Sequence, residues 1–133
     1  MNLVSPLASS FFALSFLTAV AGAREVDASK LPTPSTRTGV TFSSDIQPIL
    51  QKGCVECHGP KKAKGKLRLD SLLAVLKGSE DGKIVVPGDS AKSTLVHSVA
   101  LPIKKAMPPK GKGTPLSKEE IGLIRAWIDQ GAK

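Results

Sequence analysis

Apolar residues recur at helical spacing in four short windows of this chain, and long polar stretches rich in Pro, Gly and Lys separate them. The last window is the clearest. Ile121, Ile124, Trp127 and Ile128 form one stripe of a helix. Ser117 with Glu120 predicts a capping box, Leu116 with Ile121 a hydrophobic staple, and Gly131 the stop. Ile46, Ile49 and Leu50 share a face of an earlier helix, capped by Ser43 or Ser44, with Pro48 in or just after its first turn. Leu72, Leu73, Val75 and Leu76 predict a short helix capped by Asp70 and closed by Gly78. Leu95, Val96 and Val99 predict another, entered through the turn Pro87-Gly88-Asp89-Ser90. Ile84-Val85-Val86 reads as extended, a stray strand. The fold class is all-α: about four short helices with long loops and no internal repeat.

The N-terminus follows a different pattern. Leu3 to Ala23 carries no charge and is largely apolar, and Ala21-Gly22-Ala23 has the small-x-small form of a signal-peptidase site. Ser5, Pro6, Ser9, Ser10, Ser15 and Thr18 interrupt the run and make it a poor spanning helix. Residues 1–23 are therefore read as a cleaved signal peptide, with an uncleaved anchor as the alternative, and the expected compartment is the periplasm. Residues 24–40 hold Pro32, Pro34 and several Ser and Thr without apolar periodicity, so they read as a flexible linker. The structured domain is expected over 41–133.

Composition sharpens this picture. Beyond the signal only Phe42 and Trp127 remain as aromatics, and there is no Tyr. So small a domain has a thin core, and a buried prosthetic group would add apolar volume. The net charge is +8. Nucleic acid is not expected for an exported chain, and membrane contact would be peripheral at most.

The candidate chemistry lies in Cys54-Val55-Glu56-Cys57-His58, which holds both cysteines and one of the two histidines. C-x-x-C-H reads as a c-type haem attachment site. Residues three apart share a face of a helical turn. Cys54 and Cys57 can each bond one haem vinyl group, and His58 can rise beneath the iron as proximal ligand. A zinc site wants four ligands, and only His97 remains elsewhere. A redox C-x-x-C wants a βαβ context, which is missing from the pattern. One covalent haem c is therefore the expected cofactor, and its attachment agrees with export.

An electron carrier wants six-coordinate iron, so the distal ligand must be found. Beyond the signal, Met107 is the only methionine and His97 the only other histidine. Met107 sits in the stiff loop Ala106-Met107-Pro108-Pro109 and is preferred over His97.

Motif, loops, Met-Pro and a final helix with an aromatic come in the order of class I cytochromes c. More closely, the chain resembles the planctomycete-type cytochrome c domain. The resembling stretches are Asp45 to Leu50, Cys57 to Pro60, Lys66 to Ser71, Val86 to Asp89, Met107 to Lys110, and Trp127 to Ala132. The resemblance implies the cytochrome c fold, one covalent haem c, His58 as proximal ligand and Met107 as distal ligand. The expected function is that of a single-electron carrier between periplasmic redox partners, or of a haem subunit serving a dehydrogenase. A haem peroxidase-like enzyme and a haem-based ligand sensor are the alternatives, and both need a displaceable distal ligand. Lys61, Lys62, Lys64, Lys66 and Arg68 follow the proximal ligand, and Lys104, Lys105, Lys110 and Lys112 flank the distal one. They predict a basic docking surface for an acidic redox partner.

Overall fold

The computed structural model describes residues 26–133, so the signal-peptide reading of residues 1–23 lies outside the described residues. The protein is all-α, as a cytochrome c-like fold requires. Among the described residues its α-helices are α1 (Gln47–Gly53), α2 (Leu72–Lys77), α3 (Thr94–Ala100) and α4 (Lys118–Asp129). No strand forms among the described residues, and none of their helices is long and apolar enough to cross a membrane.

Three of the expected local features move, each for a physical reason. Helix α1 is entered through a wide turn, Phe42–Ile46, capped by Thr41 rather than by Ser43 or Ser44. Pro48 has no N–H for the carbonyl four residues back. The chain instead closes a five-residue step, with Gln47 N–H donating to the Phe42 carbonyl. Helix α2 is capped by Ser71, whose hydroxyl accepts from Ala74 N–H at 3.3 Å, rather than by Asp70. Asp70 is occupied by both arms of the Arg68 guanidinium, at 2.9 and 2.7 Å. The stray strand at Ile84–Val86 is absent. Its backbone serves the start of α3: the Ile84 carbonyl accepts from Leu95 N–H, and Val86 N–H donates to the Ser93 hydroxyl. Leu95 N–H is one of the orphan donors that every helix start must satisfy.

Helix α4 organises the core. The Ser117–Glu120 capping box forms in both directions. Ile124, Trp127 and Ile128 are fully buried, together with Ile46, Leu50 and Val96. The Trp127 and Phe42 rings meet at 5.7 Å, tilted by 50°. Trp127 Nε1–H donates to the Lys133 carbonyl, which also accepts from Phe42 N–H. A domain with two aromatics thus closes its core with aliphatic side chains around one indole.

Composition predicts a flexible linker over 24–40, yet the described part of this stretch lies along α4. Leu31 and Val40 are buried at its two ends. Ser35 N–H donates to the Gly122 carbonyl at 2.9 Å, Arg125 Nη1–H to the Pro32 carbonyl, and Gln130 Nε2–H to the Arg37 carbonyl. Pro and Ser content reports poor helix propensity, and it is silent on docking by backbone hydrogen bonds. Gly122 permits the approach. A Cβ there would lie 2.8 Å from the Thr33 carbonyl oxygen, which is backbone and cannot swing aside.

Gly122→Ala is accordingly expected to lower stability despite a gain of about 1 kcal/mol in helix propensity. Overpacking against backbone costs about 1–3 kcal/mol. Thermal unfolding should shift down, and limited proteolysis should cut within residues 26–40 sooner. An unchanged melting temperature with the arm still protected would show that the arm yields freely.

Candidate haem site

The motif continues the last turn of α1. Cys54 and Val55 N–H both donate to the Leu50 carbonyl, and Cys57 and His58 N–H both donate to the Cys54 carbonyl. This keeps the two thiols on successive levels of one turn, with His58 directly after. Both cysteines are free and half-buried. Cys54 packs against the core. Burial, and then the nearby Glu120 carboxylate, push its thiol above the ordinary value of 9.0.

The chain then folds back around the imidazole. Gly59 N–H donates to the Lys62 carbonyl at 2.7 Å, Lys64 N–H to the Cys57 carbonyl at 3.1 Å, and Leu69 N–H to the His58 carbonyl at 2.8 Å. Gly59 is buried, and a Cβ there would collide with the Val55 carbonyl. Inside this wrap His58 Nδ1 lies 3.1 Å from the Lys64 carbonyl oxygen. A carbonyl only accepts, so the proton sits on Nδ1 and the Nε2 lone pair is free to ligate.

His58 and Met107 line the same cleft, of about 420 Å³, whose wall also includes Leu67, Ile84, Ser98 and Lys105. Met107 N–H donates to the Ser98 carbonyl at 2.7 Å, which anchors its loop to α3. His97 points elsewhere. Its Nε2 lies 2.6 Å from the Ala91 carbonyl, and it is not among the cleft's lining residues. Cys54 and Cys57 do not line the cleft either and stand on the turn leading to it. A second groove, of about 660 Å³, runs between the arm and the start of α4 and shares no residue with the motif.

This donor set fits a haem c: two free thiols on one turn, an imidazole with Nε2 free, and a thioether on the same cleft. It fits a bare metal ion poorly. Among the described residues no three His, Cys, Asp or Glu side chains cluster as such an ion needs.

The rim carries both signs of charge. Lys64 and Lys105 both line the cleft, so the two basic runs meet there. Arg68, however, is held by Asp70, and Lys105 by Asp81 at 2.9 Å. Glu80, Asp81 and Lys83 also line the cleft. In the sequence, Glu80-Asp81-Gly82 reads only as a turn, with no sign that it meets the cleft. Nor does any residue type signal the Lys64 carbonyl.

Residues 54–111 match the family described as Planctomycete cytochrome C. The match runs from Cys54 through Met107 and stops short of α4. Among solved structures, Kuenenia stuttgartiensis Hydrazine Synthase is similar over 70% of this chain, with 30% identity and a TM-score of 0.42. The chain spans 16% of the length of that protein. No curated protein matches.

With the thiols free, Cys54 should alkylate with a pH midpoint above that of an ordinary thiol, because a raised pKa lowers the thiolate fraction at any given pH. Glu120→Gln keeps the capping box and removes the charge, so the midpoint should fall part of the way. The burial share should remain. Peptide-resolved alkylation with iodoacetamide measures both, and an unshifted midpoint at Cys54 would contradict the geometry.

Proposed function

With residues 54–111 a planctomycete-type cytochrome c domain, we propose that this protein is an exported, periplasmic carrier of single electrons with one haem c. Cys54 and Cys57 would hold it through their sulfurs, and His58 and Met107 would ligate its iron. The observation that carries this reading is the meeting of His58 and Met107 on one cleft, directly after a turn bearing both thiols.

A haem c bound there supplies a one-electron iron couple. The residues do the rest. The Lys64 carbonyl holds His58 in the tautomer that presents Nε2, and its acceptance of the Nδ1 proton makes the imidazole a stronger donor. The backbone bond to Ser98 holds Met107 at the opposite ligand's cleft. A thioether opposite an imidazole sets a higher potential than a second imidazole would. With both His58 and Met107 held to the iron, no position would be left for substrate, which supports electron carriage over peroxide turnover. Cleavage after residue 23 would release it to the periplasm.

Cys54→Ala or Cys57→Ala should lose most haem that survives acid–acetone extraction, as read by mass. Met107→Ala should open the iron to carbon monoxide, and Met107→His should stay six-coordinate at a lower potential. Carbon monoxide binding after His97→Ala but not after Met107→Ala would refute the assignment. Rapid peroxide turnover by the unaltered protein would favour the enzyme alternative.

The partner on this reading is a redox protein with an acidic docking surface. Lys61, Lys62, Lys104 and Lys110 are exposed and have no ion-pair partner among the described residues. Replacing these four by Gln should slow association and flatten its dependence on ionic strength, with the potential nearly unchanged. Stopped-flow electron transfer at several salt concentrations checks this. A rate equal to the wild type at low salt would remove the docking role.

A further inference from the structure

We propose that the tight turn Ser79–Gly82 is a clip joining the two ligand-bearing loops across the cleft, with Asp81 and Lys105 as its positioning residues. The inference rests on reading His58 and Met107 as ligands of one iron.

The turn reaches the proximal side through its backbone. Glu80 N–H donates to the Gly65 carbonyl at 3.0 Å. The preceding carbonyl, that of Lys64, accepts from His58 Nδ1. Gly65 and Lys66 both have positive φ, 63° and 53°, a conformation that Lys66 adopts only where its surroundings hold it. The bond from Glu80 is one such hold.

It reaches the distal side through a side chain. Asp81 Oδ2 lies 2.9 Å from Lys105 Nζ, two residues before Met107. Residues 102–115 have few other ties. Apart from bonds within their own turns and the local bond from Ile103 N–H to the Leu101 carbonyl at their start, the hydrogen bonds that fasten them to the rest of the described protein are this one and Met107 N–H to Ser98. Among the described residues, Lys105–Asp81 is the only ion pair this loop makes.

The turn itself is stiff enough to transmit a hold. Ser79 and Gly82 exchange backbone hydrogen bonds of 2.9 and 3.1 Å, and Asp81 N–H donates to the Ser79 hydroxyl. Gly78 enters it at φ 89°, and a Cβ there would strike the Gly82 carbonyl. Other charges at the cleft leave the pair in place: Lys83 is turned to the Leu76 carbonyl at 2.7 Å, and Glu80 attracts Lys105 in the same sense as Asp81 but more weakly.

Magnitude decides where the effect will show. Both side chains are largely exposed, 76% for Lys105 and 73% for Asp81. Exposed pairs shift equilibria by about two- to fivefold and fade with salt. Global stability should barely register the clip. Competition for the Met107 position should register it, because that equilibrium opens only this loop.

The test uses the haem-loaded protein with imidazole as the competing ligand, followed by the loss of the methionine–iron absorption band. Asp81→Asn and Lys105→Gln should each bind imidazole about two- to fivefold more tightly at low salt. Asp81→Lys combined with Lys105→Asp should restore the wild-type affinity. The differences should vanish near 1 M salt, with melting temperatures unchanged. Single variants equal to the wild type, or a charge swap no better than the single variants, would overturn the clip. A wild-type protein without the methionine–iron band would overturn the ligand reading, and the clip with it. An intact band with equal affinities would overturn the clip alone.

Discussion

The site depends on one hydrogen bond, from His58 Nδ1 to the Lys64 carbonyl, at 3.1 Å. It sets which imidazole nitrogen is free, and it requires the chain after the motif to return beneath the ring. That return has consequences further along. Gly59 must pass close under Val55, residues 65 and 66 must take positive φ, and the Leu69 amide must reach back to the His58 carbonyl. Leu69 is then buried, which sets the chain's entry into α2. The orientation of one imidazole thus shapes a dozen residues of loop.

Those loops can be long because the stability lies elsewhere. Helix α4 and the turn into α1 bury Trp127, Phe42, Ile46, Leu50, Ile124 and Ile128 together. Each such side chain contributes on the order of 1.5–3 kcal/mol by burial. The cleft lies beside this core and is lined by a different set of residues. Scaffold and site are therefore separable, and the 102–115 loop can respond to ligands and salt while the core stays closed.

Much of this is legible in the sequence. The motif needs fixed residue types at fixed spacing. Helix α4 carries a cap, a staple and a stripe that all agree. Met107 stands out as the only methionine besides Met1, and it does reach the cleft of His58. What is not legible depends on backbone groups and on tertiary contacts. The Lys64 carbonyl has no residue signature. Thr41 takes the cap from Ser43 and Ser44 because Pro48 displaces the first turn. Asp70 is lost as a cap to Arg68, and Ile84–Val86 serves a helix start where strand propensity points to pairing. The basic runs carry one sign of charge along the chain. The acidic turn that meets them is distant in sequence and adjacent only in the fold.

Electron carriage by this fold requires that His58 and Met107 meet on one iron. X-ray absorption at the iron edge of the exported, haem-loaded protein tests it most directly. One sulfur scatterer should appear in the first coordination shell of both oxidation states, and Met107→Ala should lose it. A first shell of nitrogen alone in the wild type, or a sulfur that persists after Met107→Ala, would contradict it.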